Sequence, residues 1–208
     1  MADIRKDYRL AELDEKQTGS DPLEFFARWF TEAEQADVLE VNAMTLATVD
    51  VHNQPHARIV LLKALDKSGF VFFSNYDSDK GHQLEAKSAA ALVFFWPELE
   101  RQVRIEGWVE KVSEAESDEY FQSRPEGSRI GAWASPQSRP ISNRSEIEAN
   151  YSKYAKQYGN NIPRPPFWGG FRVLPQRIEF WQGRSSRMHD RICFTLSNNG
   201  WNKVRLAP

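Results

Sequence analysis

Hydrophobic and polar positions along the chain follow two different periods, and the change comes near residue 43. Before that point, Asp21, Pro22 and Glu24 form an N-terminal capping pattern, and apolar residues at 23, 26 and 30 recur at helical spacing. This pattern predicts a helix from Asp21 to about Ala36. Beyond residue 43, short apolar segments bounded by turn residues are typical of strands. They predict strands at 43–50, 57–65, 70–75, 90–96, 102–112, 171–182, 187–196 and 201–206.

Three further helices interrupt the predicted strands. They lie at 78–87, at 113–124 after a Ser113–Glu116 capping box, and at 142–158. The strands follow one another too closely for parallel crossovers, so we expect a largely antiparallel sheet. Seven or more such strands usually curl into a barrel or pack as a sandwich. The pattern therefore predicts a mainly β protein with inserted helices (α+β), with one barrel domain at 20–208 and a mobile polar arm at 1–19.

Composition and charge exclude several classes of protein. The chain has 208 residues, of which 40% are hydrophobic, as in a globular domain, and its formal net charge of −2 gives no support to nucleic-acid binding. Its single cysteine, Cys193, rules out an internal disulfide and favours a reducing compartment. No apolar run approaches the ~20 residues of a membrane span, and the first ten residues lack a signal sequence, so we expect a cytoplasmic protein without membrane attachment. Four scattered histidines form no metal-ligand pattern, so no metal site is expected.

Two groups of polar residues have the chemistry of a phosphate site at strand ends. Arg58 and Lys63 flank an apolar strand, and the alternation of side chains along a strand directs them to different faces or different ligands. Ser74 ends a predicted strand, and Lys80 lies in the turn or helix that follows, where a hydroxyl and an ammonium suit a phosphate. Solvated edge charges and a polar loop are the alternative interpretations of these residues.

A third group lies around a predicted helix end. Tyr120 and Arg124 are four residues apart, so they share a face of the predicted helix. Pro125 and Gly127 then turn the chain and place Ser128 near the start of another segment. A phenol, a guanidinium and a hydroxyl that converge in this way form a second phosphate cradle, for which a surface Tyr–Arg pair is the alternative.

The segment from Arg187 to Arg191 has the least ordinary pattern in the chain. On a strand, Arg187, His189 and Arg191 face the same way, and three such groups repel one another unless an anion or an electron-rich ligand lies there. A splayed, solvated strand end is the alternative. His189 has the chemistry of a hydrogen-bond donor or a proton shuttle near neutral pH. The tryptophans are expected in the core, with one or two of them against an aromatic cofactor ring; those near the polar groups are Trp96, Trp133, Trp168 and Trp181.

Several sequence blocks, taken in order, resemble the pyridoxine/pyridoxamine 5′-phosphate oxidases. They are RIVLLK (58–63), FFSN (72–75), ERQVRIEG (100–107), SRPEGSRIGAW (123–133), FWGGFRV (167–173), IEFWQG (178–183), RMHDR (187–191) and VRLAP (204–208). The resemblance runs from about residue 20 to the last residue. It implies an FMN-binding split β-barrel that forms a homodimer, with FMN in a cleft between the subunits. The implied reaction oxidises pyridoxamine 5′-phosphate and pyridoxine 5′-phosphate to pyridoxal 5′-phosphate, with O2 reduced to H2O2.

The resemblance also implies roles for individual residues. Those expected to bind FMN are Arg58, Ile59, Val60, Leu61, Leu62, Lys63, Phe73, Ser74, Lys80, Gln102, Gln137, Ser138, Trp181 and Arg191, with Arg58, Ser74 and Lys80 around its phosphate. Those expected to bind the substrate are Lys63, Tyr120, Arg124, Ser128, Arg187 and His189, together with Arg5 and Tyr8 of an arm that covers the substrate as a lid. Arg187 and His189 are the expected catalytic residues, and which of them acts as a base, if either does, is open.

Two positions depart from the family pattern, and two other functions compete with the oxidase. Asp79 precedes Lys80 where a second basic residue is usual, which predicts weaker FMN binding than in relatives. Lys6 replaces a typical arginine, which keeps the charge but loses the bidentate fork. A flavin reductase of the same fold has no need of the second phosphate cradle. A non-catalytic FMN or pyridoxal phosphate carrier has no need of the RMHDR segment.

Overall fold

The computed structural model describes residues 7–208. Its strands are β1 (Ala43–Val49), β2 (Pro55–Leu61), β3 (Ala64–Leu65), β4 (Phe70–Asn75), β5 (Ala89–Trp96), β6 (Arg101–Lys111), β7 (Trp168–Gln182), β8 (Asp190–Ser197) and β9 (Gly200–Leu206). Its α-helices are α1 (Pro22–Gln35), α2 (Asp79–Ala86), α3 (Glu114–Ser123), α4 (Glu126–Ala134) and α5 (Arg144–Tyr158). Of the helices within residues 7–208, none is long and apolar enough to cross a membrane.

The strands form one antiparallel sheet that curls on itself, as the sequence predicts. The strand order is β2-β1-β5-β6-β7-β4-β3, with β8 paired to β7 and β9 paired to β8. The two ends of this path, β2 and β3, are joined in sequence by Leu62 and Lys63 alone, so the two sheet edges lie side by side. Leu62 donates its N–H to the carbonyl of Asn42, and Lys63 donates its N–H to the carbonyl of Val71, both at 2.8 Å. The joint is therefore hydrogen-bonded on one side to the residue before β1 and on the other side to β4.

Helix α1 packs into the main hydrophobic core. The Asp21 carboxylate caps it by accepting the N–H of Leu23 at 2.8 Å, as the sequence predicts. Phe26 is fully buried, with its ring 4.9 Å from that of Phe70 and 5.0 Å from that of Phe94. Leu13 joins the same core from the segment before the helix. The mobility of residues 1–19 stays a prediction, and residues 1–6 lie outside the described part of the chain.

A second, smaller hydrophobic cluster lies beside the barrel. Phe121 of α3, Ile130 of α4 and Ile162 are buried together with Trp168 at the start of β7. Beside the cluster, Gly170 leaves room for Val112 and Phe73, since a Cβ there would lie 2.5 Å from a Val112 methyl and 2.8 Å from the Phe73 ring. Helices α3 to α5 are thereby fixed against one end of the longest strand.

The strand predicted at 57–65 is split in two, the helix predicted at 113–124 ends one residue early, and helix α4 was not predicted. The strand expected at 57–65 breaks between Leu61 and Ala64, where the chain passes from one sheet edge to the other. The helix expected at 113–124 ends at Ser123, because a residue before proline disfavours helical backbone, and Arg124 has φ −75° and ψ 148°. Pro125 then opens α4, whose signal is weakened by two glycines. Tyr120 and Arg124 therefore do not share a helix.

Candidate functional site

A pocket of about 480 Å³ opens where β2, β4, α2 and the junction between α3 and α4 meet. Its volume lies in the ordinary range for small-molecule sites, roughly 300–1,000 Å³. Eleven residues with an expected ligand role line it: Ile59, Val60, Leu61, Lys63, Phe73, Ser74, Lys80, Tyr120, Arg124, Ser128 and Gln137. Asn75, Pro125 and Trp168 complete the lining and were not assigned to a ligand. The fold thus brings segments from 59–63, 73–80 and 120–137 to one place.

The pocket is cationic although the chain is slightly acidic. Lys63, Lys80 and Arg124 line it, and no Asp or Glu is among its lining residues. Within residues 7–208, none of these three cations has a carboxylate in salt-bridge range. By contrast, Arg164 and Arg172 are each paired with two or more acidic side chains. Unpaired cations gathered in a cavity attract an anion, and a phosphate monoester is the anion that hydroxyl and ammonium donors suit.

Lys80 is held at the N-terminus of α2. Its ammonium donates to the hydroxyls of Ser74 and Ser78 at 3.0 Å each and to the Gln137 side-chain carbonyl at 3.4 Å. Ser78 is also the N-cap of α2, so the positive end of the helix dipole points the same way. Burial, and then the nearby charge of Arg58, lower the pKa of Lys80 from its ordinary value. A bound anion would oppose both effects, because it would stabilise the charged ammonium.

Arg124 lies above a stack of aromatic rings. Phe73 and Tyr120 are stacked with centroids 3.9 Å apart, and Trp168 lies parallel to Phe73 at 5.6 Å. The Arg124 guanidinium is 4.6 Å from the Trp168 ring, which is cation–π range. Its Nη1 is buried and has no hydrogen-bond partner among the described residues. A buried donor without an acceptor is costly, which indicates that Arg124 is arranged for a ligand.

Arg58 lies beside the pocket rather than in its lining. Its Nη1 donates to the Thr48 hydroxyl at 2.6 Å and to the Leu46 carbonyl at 3.2 Å, and its Nη2 donates to the Gln83 side-chain carbonyl at 2.9 Å. Two other expected FMN residues also lie outside the lining. Leu62 is buried in the barrel core, and Ser138 follows Gln137 with a left-handed φ of 68°.

A second group of expected ligand residues lies at the other end of β7. Trp181 pairs in register with Gln102 on β6 and with Arg191 on β8. The Arg191 guanidinium is fixed by Glu179, to which its Nε and Nη2 each lie at 2.9 Å. Trp181 is thirteen positions along β7 from Trp168, or roughly 40 Å of extended strand at about 3.3 Å per residue. One chain therefore carries two separate groups of candidate ligand residues.

The prediction that Arg187, His189 and Arg191 share a strand face is wrong. Strand β8 begins at Asp190, because Ser186 and Arg187 have φ values of 56° and 61° and interrupt extended backbone. Arg187 is exposed on this turn, whereas His189 lies 4.6 Å from the Trp181 ring, centroid to centroid. Left-handed backbone in two consecutive non-glycine residues is strained, which is a feature of functional loops.

His189 is held in a defined orientation. Its Nδ1 accepts the backbone N–H of Arg184 at 3.1 Å, so the neutral ring carries its proton on Nε2. Burial, and then the charge of Arg187, lower the pKa of His189 from its ordinary value, which keeps the ring neutral at neutral pH. Tyr8 packs edge-on against Trp181 at 5.7 Å and lies 5.9 Å from His189. Arg5, the other expected residue of the arm, lies outside the described residues.

Comparisons with known proteins agree on a family. A family model described as pyridoxamine 5′-phosphate oxidase matches residues 30–181, and one described as the pyridoxine 5′-phosphate oxidase C-terminal dimerisation region matches residues 168–208. The chain belongs to the pyridoxamine 5′-phosphate oxidase family. It is 59% identical to the pyridoxine/pyridoxamine 5′-phosphate oxidase of Ralstonia pickettii, and the match covers 100% of this chain and 99% of the relative. A relative of the same name from Thermosynechococcus vestitus is 56% identical with the same coverage.

Two solved structures share the fold. PhzG from Burkholderia lata, solved in complex with tetrahydrophenazine-1-carboxylic acid, has a TM-score of 0.90 and 28% identity, over 96% of this chain and 99% of that one. An FMN-binding protein from Nostoc punctiforme related to pyridoxamine 5′-phosphate oxidase has a TM-score of 0.73 at 16% identity, over 90% of this chain and 98% of that one. The predictions of the family, of a split-barrel fold and of an oxidoreductase are confirmed.

Sequence reasoning missed several residues of this oxidase-family site. Trp168 was expected in the core, and it both joins the second hydrophobic cluster and lines the pocket. Thr48 and Gln83, which hold Arg58, gave no signal, because the chain places them 35 residues apart. Asn75 lies in a block that the resemblance uses, so its place in the lining was accessible to the same reasoning.

Proposed function

We propose that the protein is an FMN-dependent oxidase that converts pyridoxamine 5′-phosphate and pyridoxine 5′-phosphate to pyridoxal 5′-phosphate, with O2 reduced to H2O2. The observation that carries this proposal is the pocket whose lining gathers three cations, the three stacked rings of Phe73, Tyr120 and Trp168, and no carboxylate. The alcohol loses two hydrogens as one O2 becomes H2O2. The amine also consumes one water and releases ammonia.

FMN is the cofactor that these residues fit. Ser74, Lys80 and the N-terminus of α2 offer hydroxyl, ammonium and backbone N–H donors to its phosphate, and Arg58 adds charge from beside the pocket. Bound there, FMN would supply the redox chemistry, as a hydride acceptor for C4′ of the substrate that O2 can reoxidise. The protein's part is to hold two flat ligands in a fixed stack and to exclude water.

A separate set of residues suits the substrate. Lys63, Tyr120, Arg124 and Ser128 present an ammonium, a phenol, a guanidinium and a hydroxyl to a second phosphate. Arg187 and His189 would orient the substrate ring. Because His189 already accepts the Arg184 N–H at Nδ1, it would act toward the substrate as a hydrogen-bond donor from Nε2. A proton taken up at Nδ1 would break that contact.

A homodimer with FMN at the subunit interface is part of the proposal. Residues 168–208 match the dimerisation region of the family. The pocket lies at one end of β7, and the group formed by Gln102, Trp181 and Arg191 lies at the other. A second copy of the chain would bring its Trp181 group to the pocket of the first, so that each site is built from two chains.

Other functions predict different ligands. A flavin reductase would not need the Arg124 cradle, and a carrier would bind both ligands without turnover. The ligand in the PhzG structure has a carboxylate and no phosphate. A protein adapted to such a ligand would gain little from phosphate on its substrate.

The test is aerobic turnover of the purified protein with added FMN. Pyridoxamine 5′-phosphate and unphosphorylated pyridoxamine are compared, with the aldehyde and H2O2 measured together. We expect equimolar aldehyde and H2O2 from the phosphorylated amine and far slower turnover of the other. Bound FMN without turnover of either would refute the oxidase and favour a carrier. Equal rates on both substrates would refute the second phosphate cradle.

A further inference from the structure

Arg58 is held by neutral groups alone. Its guanidinium donates to a backbone carbonyl, to the Thr48 hydroxyl and to the Gln83 carbonyl, and within residues 7–208 no carboxylate lies in salt-bridge range of it. Thr48 is 1% exposed, and its hydroxyl donates in turn to the same Gln83 oxygen at 2.6 Å. Thr48, Gln83 and Arg58 therefore form a closed triangle of hydrogen bonds that joins β1, α2 and β2.

This arrangement differs from that of two other largely buried arginines, Arg164 and Arg172. The Arg164 side chain is 7% exposed and is paired with Glu114 and Asp118, and Arg172 is paired with Asp66 and Glu116. A carboxylate would satisfy the donors of a half-buried guanidinium and would also cancel its charge. Neutral acceptors satisfy the donors and leave the charge in place, at a cost in desolvation that an anion can offset.

The charge of Arg58 acts on the end of the pocket where Ser74 and Lys80 would hold the flavin phosphate. Its field is one of the causes of the lowered pKa of Lys80, so the two cations lie close enough to repel each other. Asp79 attracts both cations from the first turn of α2, but within residues 7–208 it forms no salt bridge with either, so their surroundings must fix them or an anion must join them. Lys80 is fixed by two serine hydroxyls, and Arg58 is fixed by the triangle.

We propose that Gln83 and Thr48 are positioning residues, which aim Arg58 at the phosphate of the bound flavin while leaving its charge unneutralised. Neither of them lines the pocket. The inference rests on the proposed FMN site and assigns two residues that act on it through Arg58. Its consequence is that the chemical character of residue 83, an amide rather than a carboxylate, tunes the affinity for phosphate.

The test compares FMN with riboflavin, which lacks the phosphate, in binding to the Gln83→Glu variant. The variant keeps an acceptor oxygen in place and adds a negative charge against Arg58. We expect the FMN dissociation constant to rise about 10-fold to 100-fold, as for the loss of one charge-assisted contact, and the riboflavin constant to stay unchanged. Quenching of flavin fluorescence measures both dissociation constants. The dissociation constant of FMN should also depend less on salt concentration in the variant than in the wild type.

Two controls separate positioning from general damage. Gln35→Glu makes the same chemical change at an exposed position at the end of α1 and should leave both constants at their wild-type values. Thr48→Val should weaken FMN binding. Thr48→Ser, which keeps the hydroxyl, should bind FMN as the wild type does.

The outcomes distinguish this inference from the function on which it rests. A wild-type chain that binds no FMN refutes both. If the wild type binds FMN, unchanged FMN affinity in Gln83→Glu refutes the positioning role alone. An equal loss of FMN and riboflavin affinity also refutes it, because that result means a structural change without a specific effect on phosphate.

Discussion

Replacing Arg124 with methionine should have opposite effects on stability and on catalysis. Arg124 is half-buried, and its Nη1 has no partner among the described residues. An unsatisfied buried donor costs about 1–3 kcal/mol. Its cation–π contact with Trp168 is worth about 0.5–1 kcal/mol, so removing both should stabilise the free protein by roughly 1 kcal/mol. For a chain of this length, that corresponds to a rise in Tm of about 2–4 °C.

The same change should weaken the use of phosphorylated substrate. A hydrogen bond to a charged group contributes about 1.5–3 kcal/mol, so kcat/KM for pyridoxamine 5′-phosphate should fall about 10-fold to 100-fold. Turnover of unphosphorylated pyridoxamine should change little, because that substrate has no phosphate for Arg124 to bind. The measurements are thermal unfolding of the ligand-free protein and steady-state rates on both amines.

Arg164 provides a matched control. It also contacts Trp168, through a 2.6 Å hydrogen bond to its carbonyl, but its guanidinium is paired with Glu114 and Asp118. Arg164→Met should therefore lower Tm, because the Trp168 carbonyl and the carboxylates of Glu114 and Asp118 lose their hydrogen-bond donor. A lower Tm for Arg124→Met as well, or an equal loss of rate on the two amines, would refute the argument that Arg124 is kept unpaired for a phosphate.

Three further predictions follow from single contacts. Asp79→Arg should tighten FMN binding, measured by fluorescence, since it removes an acid from the first turn of α2, and unchanged affinity would count against this. Gly170→Ala should destabilise the protein by about 1–3 kcal/mol in urea unfolding, because its Cβ would lie 2.8 Å from the Phe73 ring; wild-type stability would contradict the packing. The hydrogen bond from Arg205 lowers the pKa of Glu15 to about 2 from 4.5. Its stabilising effect is complete above pH 4.5 and is lost as the pH falls toward 2, so Glu15→Gln should flatten the acid limb of Tm against pH; parallel curves would exclude that role.

The strands were predictable because period-two patterns and turn residues are local signals. The errors fall where a local signal was overridden. Arg124 leaves its helix because of the proline that follows, and β8 begins late because Ser186 and Arg187 adopt left-handed backbone. Neither change is visible in hydrophobic periodicity. The cytoplasmic location and the domain boundary at residue 20 stay predictions.

The candidate site was also predictable only in part. Blocks such as RIVLLK identify residues around the pocket, and eleven of the expected ligand residues line it. The sequence could not predict that Gln102, Trp181 and Arg191 lie away from the pocket, because their place depends on the length and course of β7. Trp181 and Trp168 belong to neighbouring sequence blocks, yet they lie at opposite ends of one strand. Only the fold shows that one chain offers two separate groups.

Net charge misleads here because the chain distributes its charges unevenly. Six arginines away from the pocket are paired with carboxylates, namely Arg101, Arg104, Arg164, Arg172, Arg177 and Arg205. Arg58, Lys80 and Arg124 are fixed by hydroxyls, amides, carbonyls or an aromatic face, and within residues 7–208 none is paired with an acid. A carboxylate partner neutralises an arginine, so that it no longer attracts other anions. A neutral partner in the pocket holds a cation in place and leaves its charge free to attract an anion. A chain with a net charge of −2 can therefore still keep a cationic site for a dianionic phosphate at one place.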